Sequence, residues 1–458
     1  MSKRFSFRVG RVTGYIRGRI WYLRYVEDGR RRQPRVGPDR DAARQLAAQV
    51  NAELEVGAPT HLSFTPITII DLQRNWLEHH EHLRRSSPAT VNRYRTATQH
   101  LIWFTTRRQP VALASHFGAS HAEAFVRYLR EIEVAPNGHA HSAKRRLRDK
   151  GVVYVLETCR TMFNYAMKRR HLSPYADNPF TAVEIDRIPI TDAKPVVLLS
   201  AAQEQVMLDA ADEWLFPILL TLSLTGMRPG ELTRLLLPTD LDLDGGLVHI
   251  SNKPELGWQT KTRNERQIPL VPELIHVLRW MIGSRVTGPV FLRQQLSNET
   301  LPPLARLDRQ GLAAELAHRA ARRRAATGAD LAREEHQGVA DRLWVEAGAV
   351  VADRIRVGLA RIVRAAGLPE VTTPKTLRHM FATAMQDGNV DPLIRSRLMG
   401  HTAAGASGGG LASGGLGMTG VYTHCRPETV RQQLAAALST RPAIEVARRR
   451  LAARASRV

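Results

Sequence analysis

The chain has 458 residues, and 66 Lys and Arg against 43 Asp and Glu give a formal net charge of +23. A hydrophobic content of 43% excludes a wholly disordered chain, and two to four domains of roughly 100–200 residues are expected. The longest apolar stretch, about Trp214 to Leu224, is shorter than the roughly 20 residues that span a bilayer. We therefore expect no membrane segment.

The N-terminus is basic without an apolar run, so no secretory leader is expected. Cys159 and Cys425 are too few for a disulfide framework and are not spaced as a zinc site. These features predict a cytoplasmic protein with no metal and no cofactor. Only eight of the 66 basic residues are Lys. Arg favours phosphate contacts, but an Arg-rich proteome from a GC-rich genome explains the same composition.

The first 60 residues predict a small β-sheet module. Tyr15–Val26 is rich in aromatic and β-branched residues, Asp28-Gly29 favours a hairpin, and Arg30–Val36 favours a return strand. Asp39 could cap a helix over Arg40–Glu55. Ten Arg and one Lys fall within the first 35 residues. This pattern favours a sheet that contacts a DNA groove, although a solvated basic face would have the same sequence.

Residues 67–185 predict a four- or five-helix bundle after a short linker near residues 59–66. Thr68 precedes an amphipathic stretch, and Ser87-Pro88 favours a helix start because Pro is tolerated at the first helical position. A further helix is predicted over Ala143–Arg170.

From residue 195 to 442, helices alternate with a short β segment. Helices are predicted over Gln203–Leu224, Pro229–Leu236, Glu273–Ile282, Pro374–Gln386, Asp391–Leu398 and Glu428–Ser439. Strands are predicted within Leu241–Leu270, with Gln259–Leu270 as a hairpin. Residues of about 295–368 predict an extra helical hairpin or subdomain, residues 403–417 a Gly-rich loop, and residues 443–458 a basic, weakly helical tail.

Five residues in four separated segments form the candidate site. Arg228 begins a helix, Lys261 lies at a hairpin tip, Arg378 lies near a buried helix face, His401 follows a Gly, and Tyr422 precedes a helix. Each residue alone is more often structural. Together they fit phosphoryl transfer from DNA to a tyrosine: arginines neutralise the phosphate, a Lys protonates the leaving oxygen, and a His donates a hydrogen bond.

The segments TGMRPGEL, TKTRNERQIPL, TLRHMFATAMQDG, LMGH and MTGVYTH resemble the tyrosine recombinase (phage integrase) family. The resemblance implies that Arg228 and Arg378 clamp the scissile phosphate. It further implies Lys261 as general acid, His401 as hydrogen-bond donor to the phosphate and Tyr422 as nucleophile. The N-terminal module is similar to the arm-type DNA-binding module of some integrases, and the helical bundle to their core-binding domain.

Three features depart from the family. Lys375 stands where the family often has a His, three residues before the second Arg, and could still donate to the phosphate or shuttle a proton. His401 and Tyr422 lie 21 residues apart, about twice the usual spacing, so slow cleavage or delivery of the tyrosine to a neighbour is plausible. The segment of about residues 295–368 is longer than the family's usual connection.

The expected fold is mainly α with small β elements: an α+β multidomain protein comprising the N-terminal module, the helical core-binding domain and a catalytic domain over residues 195–442. The resemblance implies double-stranded DNA as partner, a homotetramer on DNA and a directionality factor. It also implies a reaction through a 3′-phosphotyrosyl link that integrates or excises a mobile element. The helix over Glu428–Ser439 and the segment after Pro442 are expected to pack on a neighbouring protomer.

Two alternatives remain open at this point. A type IB topoisomerase would use similar chemistry to relax DNA. A DNA-binding protein with a decayed catalytic centre would retain the fold, and Lys375 together with the long loop before Tyr422 supports that alternative.

Overall fold

The computed structural model describes residues 6–456, except 28, 58–59, 61, 63, 136–137, 139–140, 174–175, 194, 298–300 and 402–424. The chain divides into two units, residues 1–194 and 195–458. The expected fold class is confirmed, since helices predominate and the sheets are small.

The first unit begins with an antiparallel sheet covered by one helix. Its elements are β1 (Ser6–Val9), β2 (Val12–Arg17), β3 (Ile20–Glu27), β4 (Arg30–Arg32), β5 (Arg35–Gly37) and α1 (Arg40–Glu55). Side chains of β3 alternate between faces, so Leu23 and Tyr25 are buried with Ala47 and Val50 of α1. Asp39 caps α1 as predicted, because its carboxylate accepts the backbone N–H of Asp41. Strand β1 was not predicted, and Asp28 of the expected hairpin turn lies outside the described residues.

The face of this sheet away from α1 is basic and aromatic. Tyr15 pairs with Tyr22 across β2 and β3, and their rings stack at 5.8 Å between centroids. Thr13 on β2 lies opposite Arg8 on β1 and opposite Arg24 on β3. The two arginines therefore lie on this same face, on either side of Thr13. We call this surface the outer sheet face; it comprises Arg8, Tyr15, Arg17, Tyr22, Arg24 and Arg31.

The rest of the first unit is a helical bundle. Its elements are α2 (Ile69–Glu78), α3 (Pro88–Trp103), α4 (Ala119–Glu131), β6 (Glu133–Val134), β7 (Arg145–Arg146) and α5 (Asp149–Lys168). Ser87 caps α3 and Pro88 is its first residue, as predicted. The prediction that α5 begins near Ala143 is wrong, because Arg145–Arg146 pair with β6 as a short antiparallel strand.

The second unit is built around one apolar helix. Its first elements are α6 (Ala201–Asp209), α7 (Leu215–Thr225), α8 (Pro229–Leu232), β8 (Leu236–Leu237), β9 (Leu241–Asp242), β10 (Leu247–Ile250), β11 (Arg266–Pro269), α9 (Pro272–Ile282) and β12 (Gly288–Pro289). Every residue of α7 is buried, as expected for a helix that is apolar on all sides. The predicted single helix over Gln203–Leu224 is two helices, and the Asp212 carboxylate accepts the backbone N–H of Leu215 at the start of the second.

The small sheet of the second unit has the order β11-β10-β9. The expected hairpin within Gln259–Leu270 is only partly correct: Arg266–Pro269 is a strand, but it pairs with Leu247–Ile250. The fifteen residues 251–265, which connect these two strands, contain Lys261.

The long segment after β12 contains three helices: α10 (Arg309–Thr327), α11 (Arg333–Glu346) and α12 (Ala352–Ala365). Helices α10 and α11 form a hairpin with a separate small core that includes Leu312, Leu316 and Trp344. In contrast, Ile355 and Leu359 of α12 belong to the main core of the second unit.

The chain ends with α13 (Lys375–Asp387), α14 (Pro392–Met399), α15 (Pro427–Leu438) and α16 (Pro442–Ala455). Helix α16 packs on α6, α7 and α9 of its own chain, and Ile444 and Val446 lie in the main core. The contacts of this segment in the single chain are therefore with its own core, and its packing on a neighbouring protomer stays a prediction. Among the described residues, no helix has the length and apolar character needed to cross a bilayer.

Candidate active site

Arg378 is a buried cation that connects the ends of two helices. It lies on α13 beside the core residues Leu377 and Phe381, and only 7% of it is exposed. Its Nη1 donates to the carbonyl of Gly226, which follows α7, at 2.6 Å. Its Nη2 donates to the carbonyl of Met399, the last residue of α14. Both carbonyls lie at helix C-termini, where the helix dipole favours a positive charge.

The turn after α7 brings Arg228 to the same place. Gly226 has φ +60°, and a Cβ there would come within 2.3 Å of the Phe381 ring, so α13 can pack directly against this turn. Arg228 then precedes α8, with Pro229 as the first helical residue. Its Nη1 lies 2.8 Å from Oε1 of Glu231, its only recorded side-chain partner among the described residues. The guanidinium is partly exposed and keeps further N–H donors for a ligand.

Glu231 is shared by two arginines. Arg266, the first residue of β11, contacts it through Nη2 at 2.6 Å and Nη1 at 3.2 Å, and donates from Nε to the Leu398 carbonyl at 2.9 Å. Neither side chain of this pair is more than 3% exposed. Glu231 also accepts the backbone N–H of Arg228 at 2.9 Å. The carboxylate therefore fixes β11 to the start of α8.

The electrostatics of this cluster favour an anion. Burial, and then the charges of Arg228 and Arg266, lower the pKa of Arg378 to about 10, while Glu231 opposes this shift. Burial alone would raise the pKa of Glu231, but hydrogen bonds and charge from Arg266, then Arg228, hold it below its ordinary value. Three guanidinium groups thus stand against one carboxylate, which leaves an excess of positive charge at neutral pH.

His401 directly follows α14. Gly400 ends that helix with φ +63°, its N–H bonds to the Arg397 carbonyl, and the N–H of His401 bonds to the Ser396 carbonyl. This is the Schellman pattern of helix termination. A Cβ at Gly400 would lie 2.6 Å from Nη1 of Arg266, so glycine also makes room for the buried arginine.

The imidazole of His401 is influenced by the same cluster. Burial first, and then the charges of Arg378, Arg228 and Arg266, lower the pKa of His401 below its ordinary value. His401 is therefore neutral at pH 7 and can donate one hydrogen bond from its protonated ring nitrogen.

Lys261 and Lys375 are exposed near this cluster. Lys261 occupies a turn closed by the bond from the Arg263 N–H to the Thr260 carbonyl. The hydroxyl of its neighbour Thr262 donates to the Gly400 carbonyl at 3.3 Å, which connects this turn to the end of α14. Lys375 is the first residue of α13, one turn before Arg378.

The structure thus brings Arg228, Arg378 and His401 into one electrostatic cluster, with the turn of Lys261 attached to it. Tyr422, the predicted nucleophile, and the expected Gly-rich loop at 403–417 lie outside the described residues.

Sequence reasoning gave no role to Arg266 or to Glu231. The sequence does contain a signal for Arg266. In the strand RQIP, Arg266 and Ile268 are buried, whereas Gln267 between them is exposed. A basic residue on the inner face of a strand requires a buried partner, and Glu231 is that partner.

This arrangement can hold an anion with a planar or tetrahedral set of oxygens, since arginine donates parallel hydrogen bonds to such groups. Within the described ranges, no three His, Cys, Asp or Glu side chains come together in the manner of a metal site.

Comparisons with solved structures identify the fold. The chain is similar to the Tn1549 transposon integrase in complex with a circular intermediate DNA, with a TM-score of 0.51 and 17% identity over 81% of this chain and 99% of that one. It is similar to the same integrase in complex with transposon right end DNA, with a TM-score of 0.51 and 16% identity over 80% and 98% of the two chains. A lambda integrase dimer bound to a core site matches with a TM-score of 0.49 and 14% identity over 86% and 92%.

Comparison of the sequence with curated proteins gives no match. Residues 192–337, which include Arg228, Glu231, Lys261 and Arg266, match the sequence profile described as the phage integrase family. Residues 192–337 thus form a segment that matches the phage integrase family, and the fold of the chain is similar to that of a transposon integrase.

Proposed function

We propose that this chain is a site-specific DNA recombinase that cleaves and rejoins DNA through a 3′-phosphotyrosyl intermediate, without metal or ATP. The observation that carries the proposal is the position of Arg378, which is buried between two helix ends beside Arg228 and Arg266. Among the described residues, Glu231 is the carboxylate that pairs with these arginines. A phosphodiester supplies the negative charge that this cluster lacks.

In the cleavage step, Arg228 and Arg378 hold the non-bridging oxygens of the scissile phosphate. The oxygen of Tyr422 forms a bond to phosphorus while the bond to the 5′ oxygen breaks. Lys261 gives a proton to that leaving oxygen, and the phenolic proton passes to solvent. Neutral His401 donates a hydrogen bond to the phosphate, and Lys375 supplies a further donor.

In the rejoining step, the 5′ hydroxyl of a partner strand attacks the phosphotyrosyl link and releases Tyr422. The energy of the original phosphodiester is retained in the covalent intermediate, so the cycle needs no nucleotide hydrolysis. Exchange of strands between two sites would integrate or excise a mobile element.

The partner in this proposal is double-stranded DNA. The outer sheet face suits a DNA groove, because its arginines can contact phosphates and its stacked Tyr15 and Tyr22 lie on the same face. The Tn1549 integrase that shares this fold is itself described in complex with DNA. The proposal includes a homotetramer on DNA and a directionality factor that selects integration or excision.

Covalent capture tests the proposal. The purified chain is incubated with fragmented genomic DNA from its source, and the mixture is then denatured. The protein is digested, and any peptide linked to DNA is identified by mass spectrometry. We expect a nucleotide on Tyr422, no adduct in Tyr422→Phe, and sequenced junctions that cluster at one site. An unmodified protein, or adducts that persist in Tyr422→Phe, would reject the assignment.

The captured site then separates the two alternatives. A recombinase exchanges strands between two copies of this site, whereas a type IB topoisomerase relaxes a supercoiled plasmid without exchange. A decayed DNA-binding protein binds the site and forms no adduct.

A further inference from the structure

The segment that carries Lys261 is long but internally bonded. We call residues 251–265, between β10 and β11, the Lys261 loop. The side chain of Asn252 bonds to two later residues of the loop. Oδ1 of Asn252 accepts the backbone N–H of Thr260 at 2.8 Å, and Nδ2 donates to the Arg263 carbonyl at 2.9 Å. These two bonds close the chain around Lys261. The conformation of the turn therefore depends on the position of Asn252.

The helical hairpin α10–α11 holds Asn252 from outside the loop. Nη2 of Arg309, the first residue of α10, donates to the Asn252 carbonyl at 2.9 Å. Nε of the same Arg309 donates to Oε1 of Glu255 in the loop at 2.6 Å. One side chain of the hairpin thus contacts the loop at two points.

The hairpin also encloses an apolar part of the loop. Leu256 is 1% exposed and belongs to the small core formed mainly by α10 and α11. Nε1 of Trp344 on α11 donates to the Leu256 carbonyl at 3.1 Å. Gly257 approaches α11 so closely that a Cβ there would lie 2.6 Å from Cβ of Ala340. Leu256 of the loop is therefore part of the core of the hairpin.

The other side of the loop is fixed to the main body of the second unit. Nζ of Lys253 lies 2.9 Å from Oδ2 of Asp240, and both side chains are almost fully buried. Lys253 is thus occupied by a structural ion pair, whereas Lys261 is exposed and available to a substrate.

We propose that the α10–α11 hairpin is a positioning element for the general acid: Arg309 and Trp344 hold the Lys261 loop so that the ammonium of Lys261 reaches the leaving 5′ oxygen. This deepens the proposed function and rests on it. A general acid contributes only when it lies within hydrogen-bond reach of the oxygen that it protonates. A loop of this length without external anchors would sample many conformations and lose that geometry.

The reaction step concerned is the departure of the 5′ oxygen. As the Tyr422 oxygen bonds to phosphorus, the electron pair of the breaking bond remains on the 5′ oxygen, and Lys261 delivers one proton to it. If sulfur replaces this bridging oxygen, the leaving thiolate is stable at neutral pH and no general acid is needed. Comparing the two DNAs therefore isolates the proton transfer from folding and from DNA binding.

Arg309→Met tests the inference, because it removes both contacts to the loop from a partly exposed position. Its matched control is Arg319→Met on the same helix, since Arg319 pairs with Glu315 and Glu346 inside the hairpin. Single-turnover cleavage of the captured site is measured with a bridging oxygen and with a bridging sulfur. Lys261→Ala is measured in parallel as the reference for complete loss of the acid.

For Lys261→Ala, we expect cleavage of the oxygen substrate to slow by about 10²–10⁴-fold, with recovery on the sulfur substrate. Arg309→Met should slow cleavage of the oxygen substrate by about tenfold or more, with the same recovery, and Arg319→Met should match the unmodified chain on both substrates. Equal slowing of Arg309→Met on both substrates, or no slowing at all, overturns the inference. Failure of the sulfur substrate to restore Lys261→Ala instead rejects Lys261 as the acid in the proposed function.

Hydrogen–deuterium exchange without DNA tests the anchoring directly. Exchange of peptides from the Lys261 loop should increase in Arg309→Met and in Trp344→Phe, which loses the donor to Leu256 but keeps an aromatic ring. Arg319→Met should leave it unchanged. Loop protection that is the same in all of these proteins shows that the hairpin does not hold the loop, whatever the outcome of the cleavage assay.

Discussion

Arg266 Nη2 lies 2.6 Å from Glu231 Oε2, and this buried pair joins a strand to a helix start 35 residues earlier in the chain. Glu231 also accepts the backbone N–H of Arg228, and Nε of Arg266 donates to the carbonyl of Leu398. The pair therefore fixes two of the segments that carry candidate site residues. The sequence analysis did not identify either member of the pair.

Arg266→Met should destabilise the second unit strongly. Removal of one partner from a buried ion pair leaves the other charge uncompensated, which costs about 3–5 kcal/mol. Denaturant unfolding followed by circular dichroism measures this loss. Arg279→Met is the control, because the Arg279–Asp244 pair is exposed and should contribute less than about 1 kcal/mol. Similar losses in both variants would contradict the structural role of Arg266.

Gly400→Ala should impair both stability and cleavage. The left-handed conformation costs an L-residue about 1–2 kcal/mol, and the new Cβ would also collide with the guanidinium of Arg266. Gly328→Ala is a matched control, since Gly328 ends α10 with φ +69° and has nothing within 4 Å of the position of a Cβ. Thermal unfolding should show the larger loss for Gly400→Ala. If both alanines cost the same, the contact with Arg266 is not important.

His401 should titrate below its ordinary pKa, because burial and the neighbouring arginine charges disfavour the imidazolium. Arg378→Gln removes one of these charges and should raise the pKa of His401. Histidine ring chemical shifts recorded by NMR between pH 4 and 8 measure both values, with His401→Gln to assign the signal. A titration at or above the ordinary value would contradict the electrostatic cluster.

The same shift has a consequence for stability. The unfolded chain binds a proton at this position more readily than the folded chain. Stability therefore falls as the pH decreases through the ordinary His pKa toward the lowered value in the folded state. His401→Gln should reduce this pH dependence when unfolding is compared at pH 7 and pH 5.

Removal of residues 442–458 should destabilise the second unit even in the absence of DNA. Helix α16 buries Ile444 and Val446 in the main core, and Arg441 just before it is buried with Glu204 and Ser223. Calorimetry of the truncated and full chains measures the difference. Removal of residues 456–458 alone is the control, because Ser456 is exposed. Unchanged unfolding of the longer truncation would show that α16 is not part of this core.

Arg24→Ala combined with Arg31→Ala should weaken DNA binding in a salt-dependent way. Each phosphate contact contributes about 0.9 to the slope of log affinity against log salt, so the slope should decrease by up to about 2. Arg40→Ala with Arg44→Ala on α1 removes the same charge from the covered side of the sheet. Fluorescence anisotropy with a random-sequence duplex measures both. Equal slopes in the two double variants would mean that the outer sheet face is not a DNA contact.

Elements whose ends depend on neighbouring residues could be predicted from the amino-acid sequence alone. Ser87-Pro88 predicted the start of α3, and Asp39 predicted the cap of α1. Capping and periodicity are local effects, so they can be predicted without knowledge of the fold. The family motifs likewise selected Arg228 and Arg378, which the structure places in one cluster.

Contacts between groups that are distant in the sequence could not be predicted in this way. Arg145–Arg146 formed a strand instead of a helix because Glu133–Val134 pairs with it. Glu231 pairs with Arg266, and the Lys261 loop is bonded to Arg309 and Trp344. Helix α16 packs on the core of its own chain. These contacts join residues far apart in the sequence. Their free energy depends on a buried partner, and the local pattern does not identify that partner.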